Sequence, residues 1–362
     1  MIPLIKTNIP ARDVLIPELE KVLYSGYVAQ GEKVEEFERA FEKYIGEGYS
    51  LSLNSCTAAL HIALILAGVT QDDEVISTPL TAEPTNVAIK MVGAKIRYAD
   101  IDYETGNIDP SSVESKINSK TKAILVVDYA GTPVNVIKLQ EISEKYNIPV
   151  IEDAAHALGA KFNGKLTGCH FPYTVFSFQA IKHLTTIDGG ILQIKNQDEF
   201  EKGKLIRWFG IDKKLNRLDN DIKNQGFKYH MNNVNATIGL VQLSGINKII
   251  DAFISNGKYY NEALKNIPGI ELLNYYPGSE PSYWLYTMKV ENRDSFIKKL
   301  AENGIMASEI HKRNDSHTYL NDFNEVLPHM DRFYKRLIHI PCGWWVNNED
   351  REKICVTIRN GW

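Results

Sequence analysis

Three short segments of this chain carry residue types that could do chemistry together. In Asn54-Ser55-Cys56-Thr57-Ala58-Ala59, small polar residues come just before an apolar helical stretch. They read either as a plain helix N-cap or as a phosphate cradle, where free N–H groups and the positive end of the helix face an anion. In Val150-Ile151-Glu152-Asp153-Ala154-Ala155-His156, an acid stands where a buried strand ends. Asp153 either caps the following segment or holds a cationic nitrogen of a ligand. In Phe176-Ser177-Phe178-Gln179-Ala180-Ile181-Lys182-His183, followed by Asp188-Gly189-Gly190, a lysine follows mostly apolar and aromatic residues. It is either solvated or buried. Burial would bring its amine down from about 10.4 and make it a usable nucleophile.

The elements that must position these segments follow from periodicity. Apolar residues at Val34, Phe37, Phe41, Tyr44 and Ile45 predict an amphipathic helix over Glu32–Ile45. Residues 57–67 are apolar nearly all round and predict a buried helix that stops at Gly68. Strands are predicted at 74–77, 95–98, 122–127, 149–152, 174–177 and 190–194. Helices are predicted at 85–92, 110–117, 136–146 and 198–208. Such alternation means an α/β layer with a largely parallel sheet, whose ligands gather beyond the carboxyl ends of the strands. After about residue 250 the pattern changes to one long helix over 249–264, an alternating strand over 283–290 and a helix over 294–302. The expectation is a large α/β domain over 1–250 and a smaller α+β domain over 251–362.

Composition narrows the function classes. The chain has 362 residues with a net charge of −4, so no strong basic field is present for nucleic acid or an anionic membrane. The four cysteines, Cys56, Cys169, Cys342 and Cys355, form no CxxC pair, which argues against a disulfide scaffold or a zinc ribbon. The nine histidines show no metal-ligand spacing. The N-terminus lacks a signal-peptide pattern, and the most apolar long stretch, residues 58–68, is too short for a bilayer. A cytoplasmic protein without metal, membrane or nucleic-acid partner is expected. Gly159-Ala-Lys-Phe-Asn-Gly164-Lys165 matches a nucleotide-loop pattern formally, but Leu166 follows, and Asn163-Gly164 signals a β-hairpin turn.

Taken together and in this order, the three segments resemble the DegT/StrS family of sugar aminotransferases, of aspartate-aminotransferase type. Its Ser-Gly-Thr-Ala-Ala, Glu-Asp-Ala-Ala-(Gln/His)-Ala and Phe-Ser-Phe-x-x-x-Lys patterns have counterparts here, and the resemblance as a whole runs from near Gly26 to about Leu243. The resemblance implies the fold type I architecture of pyridoxal-phosphate (PLP) enzymes: a large domain with a mostly parallel mixed sheet flanked by helices, and a small C-terminal α+β domain. It implies PLP, alternating with pyridoxamine phosphate (PMP), as cofactor. Lys182 would carry the cofactor's aldehyde and then serve as general acid and base. Asp153 would keep the ring nitrogen protonated, and His156 would lie near the ring and its hydroxyl. Ser55, Cys56, Thr57 and Ser177 would anchor the phosphate.

Gly226-Phe-Lys228-Tyr-His230 resembles the family's Gly-x-Asn-x-Arg stretch, with Lys228 at the position that reaches the phosphate of a partner subunit. This implies a homodimer with a shared active site. The implied reaction moves an amino group, with L-glutamate as donor, to the C4 or C3 keto carbon of a nucleotide-linked keto-deoxy sugar. The product is an amino sugar for glycan or polysaccharide biosynthesis. Lys6, Arg12, Arg207 and Lys228 are candidates for the nucleotide's diphosphate. Two alternatives remain on the same scaffold: a PLP/PMP-dependent nucleotide-sugar dehydratase, in which histidine replaces the lysine, and a non-catalytic relative, which would lack Lys182 or Asp153. Two departures stand out. Cys56 occupies the glycine position of the first pattern, and Ala82 stands where the family has an aromatic against the cofactor ring.

Overall fold

The computed structural model describes residues 1–362. Its strands are β1 (Tyr49–Leu53), β2 (Glu74–Ser77), β3 (Lys95–Tyr98), β4 (Thr121–Val127), β5 (Val150–Asp153), β6 (Lys161–Phe162), β7 (Lys165–Leu166), β8 (Tyr173–Ser177), β9 (Gly190–Ile194), β10 (Ile270–Leu272), β11 (Ser279–Glu280), β12 (Tyr286–Val290) and β13 (Leu337–Ile340). Its α-helices are α1 (Arg12–Leu23), α2 (Glu32–Ile45), α3 (Cys56–Leu66), α4 (Glu83–Met91), α5 (Pro110–Lys116), α6 (Val136–Tyr146), α7 (Gln197–Arg207), α8 (Asn233–Ser244), α9 (Ile246–Ala263), α10 (Arg293–Glu302), α11 (Pro328–Arg336) and α12 (Asn348–Arg359).

A seven-stranded sheet in the order β1-β9-β8-β5-β4-β2-β3 forms the centre. β3, β2, β4, β5 and β8 are parallel neighbours, and β9 runs antiparallel between β8 and β1. Val, Ile and Leu on β4, β5 and β9 are buried on both faces, as a sheet covered by helices on each side requires. On one face α3 is buried from Ala58 to Leu64. On the other, α2 buries Val34, Phe37, Phe41 and Ile45, the spacing read from the sequence, and ends at left-handed Gly46.

The 159–165 segment is a hairpin. β6 pairs with β7, and Asn163 and Gly164 both have positive φ, as a two-residue turn of this kind needs.

The C-terminal part carries a three-stranded antiparallel sheet in the order β10-β12-β13, with α9, α10 and α12 contributing to its core. The first residues join it: Ile2 bridges to Ile305. Trp284, Leu285, Leu320, Met330 and Phe333 instead pack into the core of the large sheet. No single helix is long and apolar enough to cross a membrane.

Several elements differ from the sequence expectations, with β10, β13, α11 and α12 among those that have no counterpart in them. α1 and α8 were not expected. Their apolar residues do not form a clean stripe: α1 contains Pro17, and α8 is buried on several sides, with Gly239 placed tightly against Phe37. The expected alternating strand over 283–290 is the shorter β12, buried at every position. Its inward Lys289 is accommodated because Nζ pairs with Glu271 at 2.6 Å and donates to the Tyr103 carbonyl at 3.0 Å.

Candidate active site

β2, β4, β5 and β8 all end along one edge of the sheet, where a cavity of about 300 Å³ opens. Larger clefts exist, including one of about 790 Å³ along α2 and α7, but it is lined by surface charges without a catalytic grouping. The smaller cavity brings together Ser55, Cys56, Thr57, Asp153, His156, Ser177 and Lys182, drawn from three separate segments.

β5 supplies the acid. Side chains alternate along a strand, so Glu152 and Asp153 face opposite sides of the sheet. Glu152 accepts from the Thr174 hydroxyl at 2.8 Å, away from the cavity, and burial pushes its carboxyl up to about 7. Asp153 opens into the cavity and is only 2% exposed. Its Oδ2 accepts from the Thr85 hydroxyl at 2.8 Å, and its Oδ1 accepts from the Ala155 N–H at 3.1 Å. Thr85 in turn bonds Thr81 at 2.9 Å. Burial raises the Asp153 carboxyl above the ordinary carboxylate value, while Thr85, the Ala155 N–H and the charge of Lys182 pull it back down. A buried carboxylate held this way suits a cationic partner.

Lys182 lies in the turn after β8, with part of its surface open to the cavity and protein packed closely around the rest. Burial brings its amine down to about 8, against the raising influence of the Asp153 carboxylate. At neutral to mildly alkaline pH a substantial fraction is therefore the free base that a nucleophile or proton acceptor needs.

The N-terminus of α3 closes the cavity on one side. The Ser55 hydroxyl is used as the helix cap, accepting from the Ala58 N–H at 3.1 Å. The N–H groups of Cys56 and Thr57 lie in the first turn, where no helical carbonyl can take them. Gly190 makes this approach possible, because a Cβ there would sit 2.7 Å from the Cys56 nitrogen. The thiol of Cys56 is pushed well above its ordinary value by burial and stays protonated.

His156 is buried, and its Nδ1 accepts from the Ala130 N–H at 3.3 Å, which leaves Nε2 as the ring's donor. Burial lowers its pKa well below the ordinary histidine value, and Lys182 and three other histidines nearby add to this, so the ring is neutral.

Other expected residues lie elsewhere. Lys228 is exposed and does not line this cavity within its own chain. Arg207 is buried in an ion pair with Glu38 at 2.5 Å and donates to the Ser52 carbonyl, so it serves the fold. No Phe, Tyr or Trp lines the cavity at Ala82 or elsewhere, and its one aromatic ring is the imidazole of His156.

Two contributors, Thr85 and Trp284, are not foreseen, whereas His311 belongs to a polar run with Arg313, Asn314, Asp315 and His317 that the sequence offers either as a lining of the substrate site or as a solvated loop. Thr85 had only a signal of position, four residues after Thr81 at a helix start. Trp284 comes from a distant segment, and nothing local marks it. His311 opens a strand-free stretch whose Asn314 is fully buried. The Asn314 amide accepts from Asn86 and donates to the Thr81 carbonyl, both at 2.8 Å. These bonds tie the 310–317 segment to the loop that carries Ala82.

The model of the DegT/DnrJ/EryC1/StrS aminotransferase family matches residues 11–359. The chain belongs to that family. Among curated relatives it is 32% identical over 354 residues to the UDP-4-amino-4,6-dideoxy-N-acetyl-β-L-altrosamine transaminase of Campylobacter jejuni, covering 95% of this chain and 93% of that one. Among solved structures it matches the sugar aminotransferase CalS13 of Micromonospora echinospora with a TM-score of 0.96 and 36% identity, covering both chains fully. It also matches the PLP form of the sugar aminotransferase Spr1654 of Streptococcus pneumoniae with a TM-score of 0.91 and 27% identity, covering 99% of this chain and 98% of that one. The protein is a PLP-dependent sugar aminotransferase with the architecture of that family. Its cavity fits the cofactor: a buried acid for a cationic ring nitrogen, a buried lysine for an aldehyde, and unpaired helix N–H groups for a phosphate.

Proposed function

We propose that this DegT-family enzyme transfers an amino group from L-glutamate to the C4 or C3 keto carbon of a nucleotide-linked keto-deoxy sugar, making an amino sugar for glycan or polysaccharide biosynthesis. The observation that carries this reading is the meeting of Lys182, Asp153 and the α3 N-terminus in one cavity at the carboxyl edge of the sheet. The substrate class draws on the Campylobacter relative, whose name specifies a UDP-linked amino sugar.

In this reading, PLP supplies the electron sink that lets an amino group leave one carbon and join another. Lys182 holds it through Nζ and, when free, takes and returns a proton at that atom, as an amine near 8 can do. Asp153, steadied by Thr85 and the Ala155 N–H, keeps a positive charge at the ring nitrogen. His156 donates from its neutral ring. Ser55 orders the α3 terminus, and Cys56 and Thr57 offer N–H groups to the phosphate, with the Ser177 hydroxyl beside them. Lys228, exposed in its own chain, serves the partner subunit's phosphate in a homodimer with shared active sites. The large unit spans residues 1–250 and the small one 251–362, and the enzyme works in the cytoplasm.

The test is a panel of UDP- and dTDP-linked keto-sugars with L-glutamate and other amino donors, read by mass spectrometry of the products. An aminated nucleotide sugar formed with glutamate is the expected result, and Lys182→Ala should lower its rate ~10⁴-fold or more. Amination of none of the sugars by the yellow, cofactor-loaded enzyme would overturn the reading.

A further inference from the structure

The C-terminal part of the chain sends one large side chain into the catalytic corner. Trp284 is 2% exposed, just before β12. The Lys182 Nζ lies 3.9 Å from the centroid of its ring. The indole N–H donates to the Ile181 carbonyl at 2.9 Å, one residue before the lysine. The indole also stacks on His156, with ring centroids 4.1 Å apart and planes inclined by 14°. One residue therefore contacts the lysine's amine, the backbone that carries it and the buried histidine beside it.

The backbone around Trp284 is built to hold this arrangement. Tyr283, immediately before it, has φ of 52°, and Ala130, which donates to His156, has φ of 53°. Both are left-handed, a costly conformation for residues other than glycine, and it persists only where the surroundings enforce it. The two segments grip one another: the Ser282 N–H donates to the Gly131 carbonyl at 2.9 Å, and a Cβ on Gly131 would lie 2.8 Å from the Tyr283 nitrogen and 2.9 Å from that of Trp284. The same turn that sets His156 thus sets Trp284.

We propose that Trp284 is a positioning residue for Lys182: its π face is the resting place of the free amine, and its N–H fixes the turn that carries it. A cation over an indole is held electrostatically, most strongly where water is excluded. Trp284 therefore opposes burial, keeping the amine protonated to higher pH than an apolar wall would and holding it beside His156. The inference rests on Lys182 being the cofactor-bearing lysine.

The titratable groups that share the cavity with Lys182 are Asp153 of β5, Cys56 of α3, His156 and Asp188, with His183 next to the lysine in the chain and His311 stacked against the same tryptophan–histidine pair. Burial keeps the histidines neutral above pH 6, with His183 near 3 and His311 near 4, and holds the Cys56 thiol protonated well past its ordinary value. A change in the lysine's midpoint upon replacing Trp284 therefore reports on the indole.

The experiment is competitive acylation of the full-length protein, freed of cofactor, between pH 6 and 11, with the Lys182 peptide quantified by mass spectrometry. Trp284→Leu keeps an apolar wall without a π face, and its Lys182 midpoint should fall by about one pH unit. Trp284→Phe retains a weaker π face and should fall by less than half as much. A midpoint that stays or rises in Trp284→Leu, or that falls equally in both variants, overturns the proposal. A merely structural tryptophan would lower thermal stability and leave the midpoint in place. Borohydride reduction of the loaded wild type separates the two levels: cofactor trapped on Lys182 with an unmoved midpoint in the variants sinks only this inference, whereas cofactor trapped on a different lysine sinks the site reading itself.

Discussion

Two regions meet around Lys182 and His156, and they are built differently. The edge of the large sheet supplies Asp153 and Lys182 from segments about one strand and one turn long, each next to a secondary-structure boundary. The C-terminal part supplies Trp284 and His311 from irregular segments. These segments are held by long-range bonds, such as Ser282 to Gly131 and Asn314 to Asn86 and Thr81. In the proposed account, the first region provides the groups that do chemistry, and the second fixes where those groups stand. The contrast teaches that chemistry can be confined to a strand edge, whereas its positioning is distributed over the whole chain.

If this division holds, replacing residues at the sheet edge should damage rate most. Asp153→Asn keeps shape and removes the charge, and should lower turnover about 10²-fold or more with little change in thermal unfolding. A fall confined to stability would place Asp153 with the scaffold. Thr85→Val sharpens the comparison, because the Thr85 hydroxyl donates to Asp153 and links it to Thr81. Losing a hydrogen bond to a charged group costs on the order of 1.5–3 kcal/mol, so turnover should drop roughly tenfold. Thr85 also lowers the Asp153 carboxyl, so the variant's carboxyl should titrate higher. Asp153 would then protonate earlier as pH falls, and the acid limb of the rate profile should move to higher pH. A limb that moves down or stays would remove Thr85 from the site. Asn314→Ala probes the other region. It leaves buried partners unsatisfied, so stability should fall by about 1–3 kcal/mol in thermal or denaturant unfolding, while turnover changes only a few-fold. Loss of turnover comparable to Asp153→Asn would break the comparison.

The same contrast explains what could be read in the sequence. α2, β2, β3, α6 and β9 lie where their periodicity put them, and β5 and α3 differ by one residue at their ends. Asn163-Gly164 made its hairpin because its turn chemistry is local. Ser55, Cys56, Thr57, Asp153, His156, Ser177 and Lys182 are legible for the same reason, since each stands at or within a few residues of a strand end or helix start, whereas Thr85 depends on its bond to the distant Asp153. α8 was missed because burial on several sides erases the stripe by which a helix is recognised. β12 was misread because Lys289 and Thr287 looked solvent-facing, and only the distant Glu271 and Tyr103 explain how a lysine is buried there. Trp284 had no signal at all. Its role depends on Gly131, Ile181 and His156, which lie more than 100 residues away. The aromatic absent at Ala82 was visible as a gap, but which ring stands nearest could be learned only from the fold.

The central claim is that Lys182 bears the cofactor. The most direct measurement is borohydride reduction of the PLP-loaded enzyme, followed by proteolysis and mass mapping. The account requires one pyridoxyl-modified peptide, the one containing Lys182, and no such adduct in Lys182→Ala. An adduct on another lysine, or one that survives that substitution, would contradict it.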